Sequence, residues 1–177
     1  MKEAQKTYSH YDLTRNAIKN YTGLKNRNEI DLVMVRLFQI HYLNTMQKLK
    51  KKALKDGILN VLQKIKKSKS FSLVLVSGIE PFTIKPALKI LNMEKLFDQV
   101  ICGSFASGFD NLKLIKKVKG KISLVIGDRA KDLIAGKKLK AKTCLVTWGQ
   151  YKKEDKKYAD FIARKPDDIL RVMEKIK

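Results

Sequence analysis

The stretch that decides the fold is Ser123-Leu124-Val125-Ile126-Gly127-Asp128-Arg129-Ala130-Lys131-Asp132. Its apolar run ends in Gly-Asp and a helical segment follows, which predicts a buried parallel strand with an acidic residue at its tip. Gly127 permits a sharp turn and the close approach of a ligand, and Asp132 can face the same crevice. Two carboxylates this close repel each other unless a cation neutralises them, and Mg²⁺ suits oxygen ligands of this kind. The stretch therefore predicts a metal site at Asp128 and Asp132.

Helix capping is the alternative role for one of these two carboxylates. Asp132 could cap the helix predicted over Leu133–Leu139, because side-chain oxygens accept hydrogen bonds from the free N–H groups at a helix start. Capping leaves Asp128 unexplained, since it stands at the tip of a buried strand. The metal site is favoured for the pair, and capping stays open for Asp132.

Strand and helix patterns alternate on both sides of this stretch, from residue 51 to the end of the chain. Apolar strands are predicted at 71–76, 99–102, 122–126, 143–147 and 161–163. Such alternation with intervening helices predicts an α/β fold with a parallel, Rossmann-like sheet. Ligands of these sheets bind beyond the carboxyl ends of the strands. Small and polar residues stand at those ends: Ser77-Gly78, Gly103-Ser104, Gly127-Asp128 and Thr147-Trp148-Gly149.

The first 50 residues have a helical pattern instead. Between residues 29 and 49, apolar residues recur every three or four positions, which predicts a long helix with one apolar face. A shorter helix is predicted from Tyr11 to Tyr21. We therefore divide the chain into a helical cap-like segment, residues 1–50, and an α/β core, residues 51–177.

Ser77-Gly78 is a candidate phosphate-binding turn. It follows an apolar strand and precedes a predicted helix, so a hydroxyl and exposed backbone N–H groups meet at a strand tip, as in many phosphate sites. Ser-Gly is also an ordinary turn sequence. Taken alone, the pair supports both interpretations.

These motifs resemble those of the haloacid dehalogenase-like (HAD) hydrolases. Residues 73–77 are similar to the second HAD motif, an apolar strand ending in Ser or Thr, and residues 123–132 resemble the fourth, which ends in GDxxxD. Residues 133–136 and 144–149 resemble the phosphoglycolate phosphatase branch in particular.

The resemblance implies a HAD-like core and Mg²⁺-dependent hydrolysis of a small phosphorylated substrate through an aspartyl-phosphate. It also implies that Ser77 and Gly78 bind the phosphoryl group and that Asp128 and Asp132 hold Mg²⁺. Preorganised donors and a cation that stabilise charge on the phosphoryl oxygens supply most of what this chemistry needs.

The sequence departs from the family in its first and third motifs. The Asp-x-Asp pair, which supplies the nucleophile and the acid–base group in the family, occurs nowhere in the 177 residues. Gly108-Phe109-Asp110-Asn111 stands where Gly-Lys-Pro is usual, so Lys113 is the nearest candidate for the catalytic lysine. Lys113 is equally explained as one of many lysines on helix surfaces.

Two interpretations of the absent first motif stay open. The sequence is either a fragment or mis-started reading frame of a phosphatase, or it is a catalytically inactive relative that binds phosphate ligands or nucleic acid. Loss of a central strand predicts two unpaired strand edges and exposed core, a structural penalty that favours the fragment.

The net charge of +22 is the most unusual compositional feature. A polyanion such as nucleic acid would account for it, but the lysines are spread along the whole chain, which also fits a biased and solvated surface. No apolar run is long enough for a membrane helix, and the segment Met1–Lys6 is too polar for a secretory signal. With Cys102 and Cys144 as unpaired thiols, we expect a cytoplasmic protein without a membrane partner.

Overall fold

The computed structural model describes residues 10–103 and 110–176. The α-helices of this part are α1 (His10–Thr22), α2 (Arg27–Leu49), α3 (Ile58–Ser68), α4 (Pro81–Ile90), α5 (Asn111–Ile115), α6 (Ala130–Lys138) and α7 (Asp167–Glu174). Its strands are β1 (Val74–Ser77), β2 (Gln99–Cys102), β3 (Leu124–Gly127), β4 (Lys142–Val146) and β5 (Phe161–Ala163). Two 3₁₀ segments cover Lys50–Ala53 and Lys153–Tyr158. None of the described helices has the length and apolar character needed to cross a membrane.

The α/β prediction is confirmed, because all the pairings between these strands are parallel and helices connect most of them. The predicted single sheet is present as two: β1 pairs with β2, and β4 lies between β3 and β5. No ladder joins β1 to β3 within the described residues.

Two apolar clusters form the core beyond residue 45, and α3 contributes to both. Val61 and Ile65 are buried in the first cluster, together with residues of β4, β5 and α7. Leu59 and Leu62 pack against the second, which is centred on α4 and also touches β1 and β2. Each fully buried side chain of this size stabilises the fold by roughly 1.5–3 kcal/mol. Because α3 contacts both clusters, it packs against elements of both sheets.

The two sheets wind in opposite directions from β1 and β3. Leu73, just before β1, and Leu124, the first residue of β3, both pack against the first cluster. Val100 of β2 packs against the second. Strand β1 is therefore the member of its sheet nearer to β3, and the chain order reverses between them. A point of reversal is where ligands of doubly wound sheets bind, beyond the carboxyl ends of the strands.

Three helix boundaries differ from the sequence prediction. The sequence pattern predicts a helix over Thr83–Leu91 with Pro86 near its first turn, but α4 begins at Pro81, whose fixed φ suits the first helical position, so Pro86 lies in the helix interior. A second predicted helix, Asn111–Val118, is present as α5 and ends at Ile115. Helix α6 begins at Ala130, which places Asp132 in its first turn.

The chain divides into two compact units, Met1–Thr45 and Met46–Lys177, and the predicted boundary after residue 50 stays a prediction. In the first unit, the predicted long helix is present as α2, but the apolar residues that were expected to share one face are unequally buried. Ile30 is 3% exposed, but Leu37 and Ile40 of the same predicted face are 53% and 56% exposed. Leu32 and Phe38 of the same helix are also exposed, at 60% and 49%.

Candidate functional site

The structure brings Asp128 and Asp132 together at the carboxyl end of β3. Asp128 directly follows the strand, and Asp132 lies in the first turn of the next helix, α6. A Cβ placed on Gly127 would lie 2.7 Å from Oδ2 of Asp132, so the Asp132 carboxylate folds back onto the backbone beside Asp128. Only glycine leaves room for this close approach. The predicted pairing of the two carboxylates in one crevice thus has a direct structural cause.

The loop after β4 holds Asp128 from the other side. Its Oδ2 atom accepts a hydrogen bond from the backbone N–H of Gln150 at 2.7 Å. A Cβ on Gly149 would lie 2.6 Å from the Cβ of Asp128, so this position also requires glycine. Within the described residues Oδ1 of Asp128 accepts no hydrogen bond. Among the described residues, one oxygen of Asp128 is therefore fixed by a hydrogen bond and the other is open to a ligand.

The surroundings of Asp132 do not fully compensate its charge. Burial raises the pKa of Asp132; the charge of Lys131 lowers it and that of Asp128 raises it, and the net shift is upward. The side-chain amide of Asn111 donates a hydrogen bond to Oδ1 of Asp132. The backbone N–H of Arg129 also lowers the pKa, so a capping contact accounts for part of the environment of Asp132. A bound cation would remove the remaining penalty.

Asn111 is a site residue that the sequence did not reveal. The preceding residue, Asp110, caps α5 by accepting hydrogen bonds from the N–H groups of Leu112 and Lys113 at 3.0 and 3.3 Å. This leaves the Asn111 side chain free to reach Asp132. An Asp-Asn pair at a helix start signals a cap, but it does not show which of the two residues reaches a distant partner.

Ser77 forms the ordinary turn that its sequence suggested. Its Oγ accepts a hydrogen bond from the N–H of Ile79 at 3.1 Å, which is an ordinary Ser turn. Because the oxygen serves as acceptor there, the hydroxyl proton can still be donated to an anion. Gly78 packs against the end of β2, where a Cβ on Gly103 would lie 2.7 Å from the Gly78 carbonyl oxygen. The phosphate-binding role of Ser77 and Gly78 stays a prediction.

The role of Lys113 as the catalytic lysine stays a prediction. Lys113 is exposed on α5, and within the part of the chain that the structure describes it forms no ion pair with Asp128 or Asp132. Lys131 is the lysine whose charge acts on Asp132. Ser104, Gly108 and Phe109 of the predicted strand tip and third motif lie outside the described residues.

The donor set fits Mg²⁺ better than a metal that needs many protein ligands. Within the described residues no group of three or more His, Cys, Asp or Glu side chains could hold a metal ion. Mg²⁺ is usually bound by one or two carboxylates, with water and substrate phosphate oxygens completing its shell. Asp128 and Asp132 supply two carboxylates, which matches that requirement.

Comparison with known proteins confirms the family resemblance. A profile of the haloacid dehalogenase-like hydrolases matches residues 1–146. A phosphoglycolate phosphatase from Aquifex aeolicus (strain VF5) is 32% identical over 116 residues, which cover 61% of this chain and 54% of that protein. The chain therefore spans about half of the length of this relative.

Solved structures of the same kind share the fold. A haloacid dehalogenase-like hydrolase from Streptococcus pneumoniae is 18% identical with a TM-score of 0.65, over 90% of this chain and 76% of its own. The predicted phosphoglycolate phosphatase of Haemophilus somnus 129pt is 17% identical with a TM-score of 0.63, over 92% and 75%. A Bacillus subtilis protein solved with bound magnesium is 13% identical with a TM-score of 0.60, over 96% and 74%.

Proposed function

The chain belongs to the haloacid dehalogenase-like hydrolase family, and we propose that it carries the Mg²⁺- and phosphate-binding part of a phosphomonoester hydrolase. The observation that carries this proposal is the pair of carboxylates at the end of β3: within the described residues one oxygen of Asp128 accepts no hydrogen bond, and the pKa of Asp132 is raised. Asp128 and Asp132 would hold the metal ion, and Ser77 and Gly78 would bind the phosphoryl group. The substrate would be a small phosphomonoester, the class for which the Aquifex relative is named.

Each of these residues has a defined task in such a reaction. Bound Mg²⁺ would supply positive charge to the phosphoryl oxygens. The amide of Asn111 orients Asp132, and the N–H of Gln150 orients Asp128, so neither carboxylate has to reorganise when charge develops. The Ser77 hydroxyl would donate a hydrogen bond to a phosphoryl oxygen. Lys113 is the candidate for the lysine that contacts the phosphoryl group, and it forms no ion pair with either carboxylate within the described residues.

The nucleophile of this proposal is not among the 177 residues. The family uses an Asp-x-Asp pair, and the sequence has none. Catalysis would therefore need an aspartate from a segment outside this sequence. Without such a segment, the same residues would bind Mg²⁺ and phosphate but would not turn over a phosphomonoester.

The proposal is tested by measuring Mg²⁺ affinity with isothermal titration calorimetry. Asp128→Asn is expected to weaken Mg²⁺ binding by about 10- to 100-fold or more, because even residues that only orient metal ligands contribute this much. Asp56→Asn, an exposed aspartate in the turn before α3, is the matched control and should bind Mg²⁺ like the wild type. Equal affinity of Asp128→Asn and wild type would refute the metal site.

A second experiment addresses the phosphate half of the site. In the presence of Mg²⁺, Ser77→Ala should weaken the binding of inorganic phosphate by about tenfold, the value of one good hydrogen bond to a charged group, while Mg²⁺ affinity stays unchanged. Unchanged phosphate binding in this variant would remove Ser77 from the site and leave the metal residues in place.

Polyanion binding without catalysis is the second candidate function. The 3₁₀ segment Lys153–Tyr158 is held by Asp155, whose buried carboxylate accepts a hydrogen bond from the N–H of Lys152 at 2.8 Å. The segment and Lys152 present four exposed lysines: Lys152, Lys153, Lys156 and Lys157. The affinity for labelled single-stranded RNA should then fall steeply as the salt concentration rises. Replacing all four lysines with Gln should reduce the slope of the logarithm of affinity against the logarithm of salt concentration. Absent binding at low salt would exclude this function.

A further inference from the structure

A basic tract begins beside the two candidate metal carboxylates. Arg129 directly follows Asp128 in the chain. Burial raises the pKa of Asp132, and the nearby charge of Lys131, in the first turn of α6, opposes that rise. The side chains of Arg129 and Lys131 are exposed, and among the described residues neither forms an ion pair. Two positive charges are therefore available to a ligand next to the carboxylates.

The tract continues along the 3₁₀ segment Lys153–Tyr158. Three residues before this segment, the backbone N–H of Gln150 donates a hydrogen bond to Asp128, so the segment starts near the carboxyl ends of the strands. The last carbonyl of the segment, that of Tyr158, accepts a hydrogen bond from the hydroxyl of Thr143 at 2.8 Å, near the amino end of β4. The segment also packs against α6. It therefore runs from the candidate site back along β4 and α6.

The length of this tract indicates a polymeric ligand. In the ladder, Thr143 stands opposite Val125, which lies three residues before Asp128. Three residues of a strand span roughly 10 Å, a distance over which one strand of a nucleic-acid helix carries about three phosphates. A small ester bound at the carboxylates would leave the far end of the tract unoccupied, whereas a chain of phosphates would follow it.

The exposed charges along the 3₁₀ segment are mostly positive. Four lysines are exposed and form no ion pair within the part of the chain that the structure describes: Lys152, Lys153, Lys156 and Lys157. Asp155 is buried and its carboxylate accepts a hydrogen bond from the N–H of Lys152, which leaves Glu154 as the exposed acidic residue of the segment. Four positive charges against one negative charge favour an anionic ligand.

Tyr151 gives the tract a feature that a purely ionic surface lacks. In the chain it stands between Gln150 and the first lysine, and its side chain is half-buried. The other tyrosine, Tyr158, has one ring face occupied by the ammonium group of Lys157, which lies 5.0 Å from the ring centroid. An aromatic ring among lysines favours single-stranded nucleic acid over other polyanions, because bases stack on the ring while the lysines contact phosphates.

We propose that the site takes the terminal phosphate of a single-stranded nucleic acid, in addition to small phosphomonoesters. The terminal phosphate would lie with Mg²⁺ at Asp128 and Asp132, the next phosphates would follow the lysines, and a base would stack on Tyr151. This inference rests on the proposed function, because it uses the same phosphate-binding site. It differs from unselective binding of a polyanion, because the end of the strand is recognised.

The test compares three labelled RNA strands of about ten nucleotides, a length within the site sizes of single-strand binding proteins. The strands differ only in carrying a phosphate at one end, at the other end, or at neither. Fluorescence anisotropy is measured with the full chain and Mg²⁺. One phosphorylated strand should bind at least about tenfold more tightly than the unphosphorylated strand, and excess inorganic phosphate should abolish the difference. Equal binding of all three strands, or a difference that inorganic phosphate leaves intact, would overturn the proposal.

Asp128→Asn separates this inference from the proposed function. The variant should lose the advantage of the terminal phosphate but bind the unphosphorylated strand no more weakly, because it removes a negative charge from a basic surface. An advantage that survives the substitution would overturn the inference. Absence of Mg²⁺ binding by the wild type in calorimetry would refute the metal site itself, whereas normal Mg²⁺ binding without a terminal-phosphate advantage would refute this inference alone.

Two variants with the same change in net charge locate the tract. In one, Gln replaces the four lysines of the tract; in the other, it replaces four exposed lysines between α5 and β3: Lys116, Lys117, Lys119 and Lys121. The first variant should bind every RNA strand more weakly and reduce the slope of the logarithm of affinity against the logarithm of salt concentration by up to about 3. Equal losses in the two variants would mean that overall charge binds the strand, and would overturn the proposal.

Tyr151 distinguishes nucleic acid from a polyanion without bases. Tyr151→Ala should weaken the binding of every RNA strand about tenfold, a typical value for one stacked base, while Tyr151→Phe keeps the ring and should bind like the wild type. Equal affinities of the two variants would exclude base stacking, assign the tract to a polyanion without bases and overturn the proposal.

Discussion

Carboxylates at the two ends of the strands lie in opposite electrostatic surroundings. At the amino ends, Asp98 directly precedes β2 and Asp160 directly precedes β5, and the pKa of each is lowered. At the carboxyl ends, Asp128 and Asp132 lie together, and the pKa of Asp132 is raised. The ionised aspartate is stabilised at the amino ends of the strands, whereas at the carboxyl ends the charge of Asp132 is not fully compensated. The difference is whether the protein itself supplies the compensating positive charge.

The amino-end carboxylates share one arrangement. A hydrogen bond from Lys66 and another from the N–H of Leu73 lower the pKa of Asp98. Burial works against ionisation of Asp160, but Lys137 and the N–H and hydroxyl of Thr143 outweigh it and lower the pKa. Each aspartate thus joins two strand segments through a lysine and a backbone N–H.

The largest expected effect on the free energy of unfolding comes from the loss of one of these amino-end carboxylates. Asp160→Asn should lower the free energy of unfolding by about 2 kcal/mol at pH 7, the value of hydrogen bonds to a charged group. Urea denaturation measures it, with Asp56→Asn as the exposed control. A loss no greater than in the control would mean that Asp160 does not hold β4 and β5 together.

The pH dependence of the same variant sharpens the comparison. The folded pKa of Asp160 is lowered, so its contribution is complete above the unfolded value of about 3.9 and is lost as the pH falls through the folded pKa. The stability difference between wild type and Asp160→Asn should therefore be constant near neutrality and shrink below about pH 4. A difference that persists undiminished in strong acid would contradict an ionised Asp160.

The smallest expected effect on stability comes from a residue at the carboxyl ends of the strands, Asp128, and it has the opposite sign. Without metal, Asp128→Asn should leave stability unchanged or raise it by up to about 1 kcal/mol, because it removes a like charge beside Asp132. Thermal melts in a chelator measure this. A clear destabilisation would show that Asp128 is compensated by the protein like the amino-end carboxylates.

The strands were predictable from sequence because their burial depends on local apolar runs. The runs at 71–76 and 122–126 became β1 and β3 with shifted ends, and Asp128 was correctly expected at a strand tip. The long apolar pattern of α2 predicted a helix but not its burial, since burial depends on what surrounds the helix.

The contacts that define the site were not predictable, because their partners are distant in sequence. Asn111 reaches Asp132 across 21 residues, and the N–H of Gln150 reaches Asp128 across 22. Asp160 was not singled out from the sequence, although it accepts a hydrogen bond from the N–H of Thr143 and forms an ion pair with Lys137. No local pattern signals such pairs before the chain is folded.

The most direct test of the central claim is an anomalous difference map from crystals soaked in Mn²⁺, which accepts the same oxygen ligands as Mg²⁺. The account predicts a peak between Asp128 and Asp132 in the wild type and its loss in Asp128→Asn. A map with no peak beside these carboxylates, or one unchanged in the variant, would contradict it.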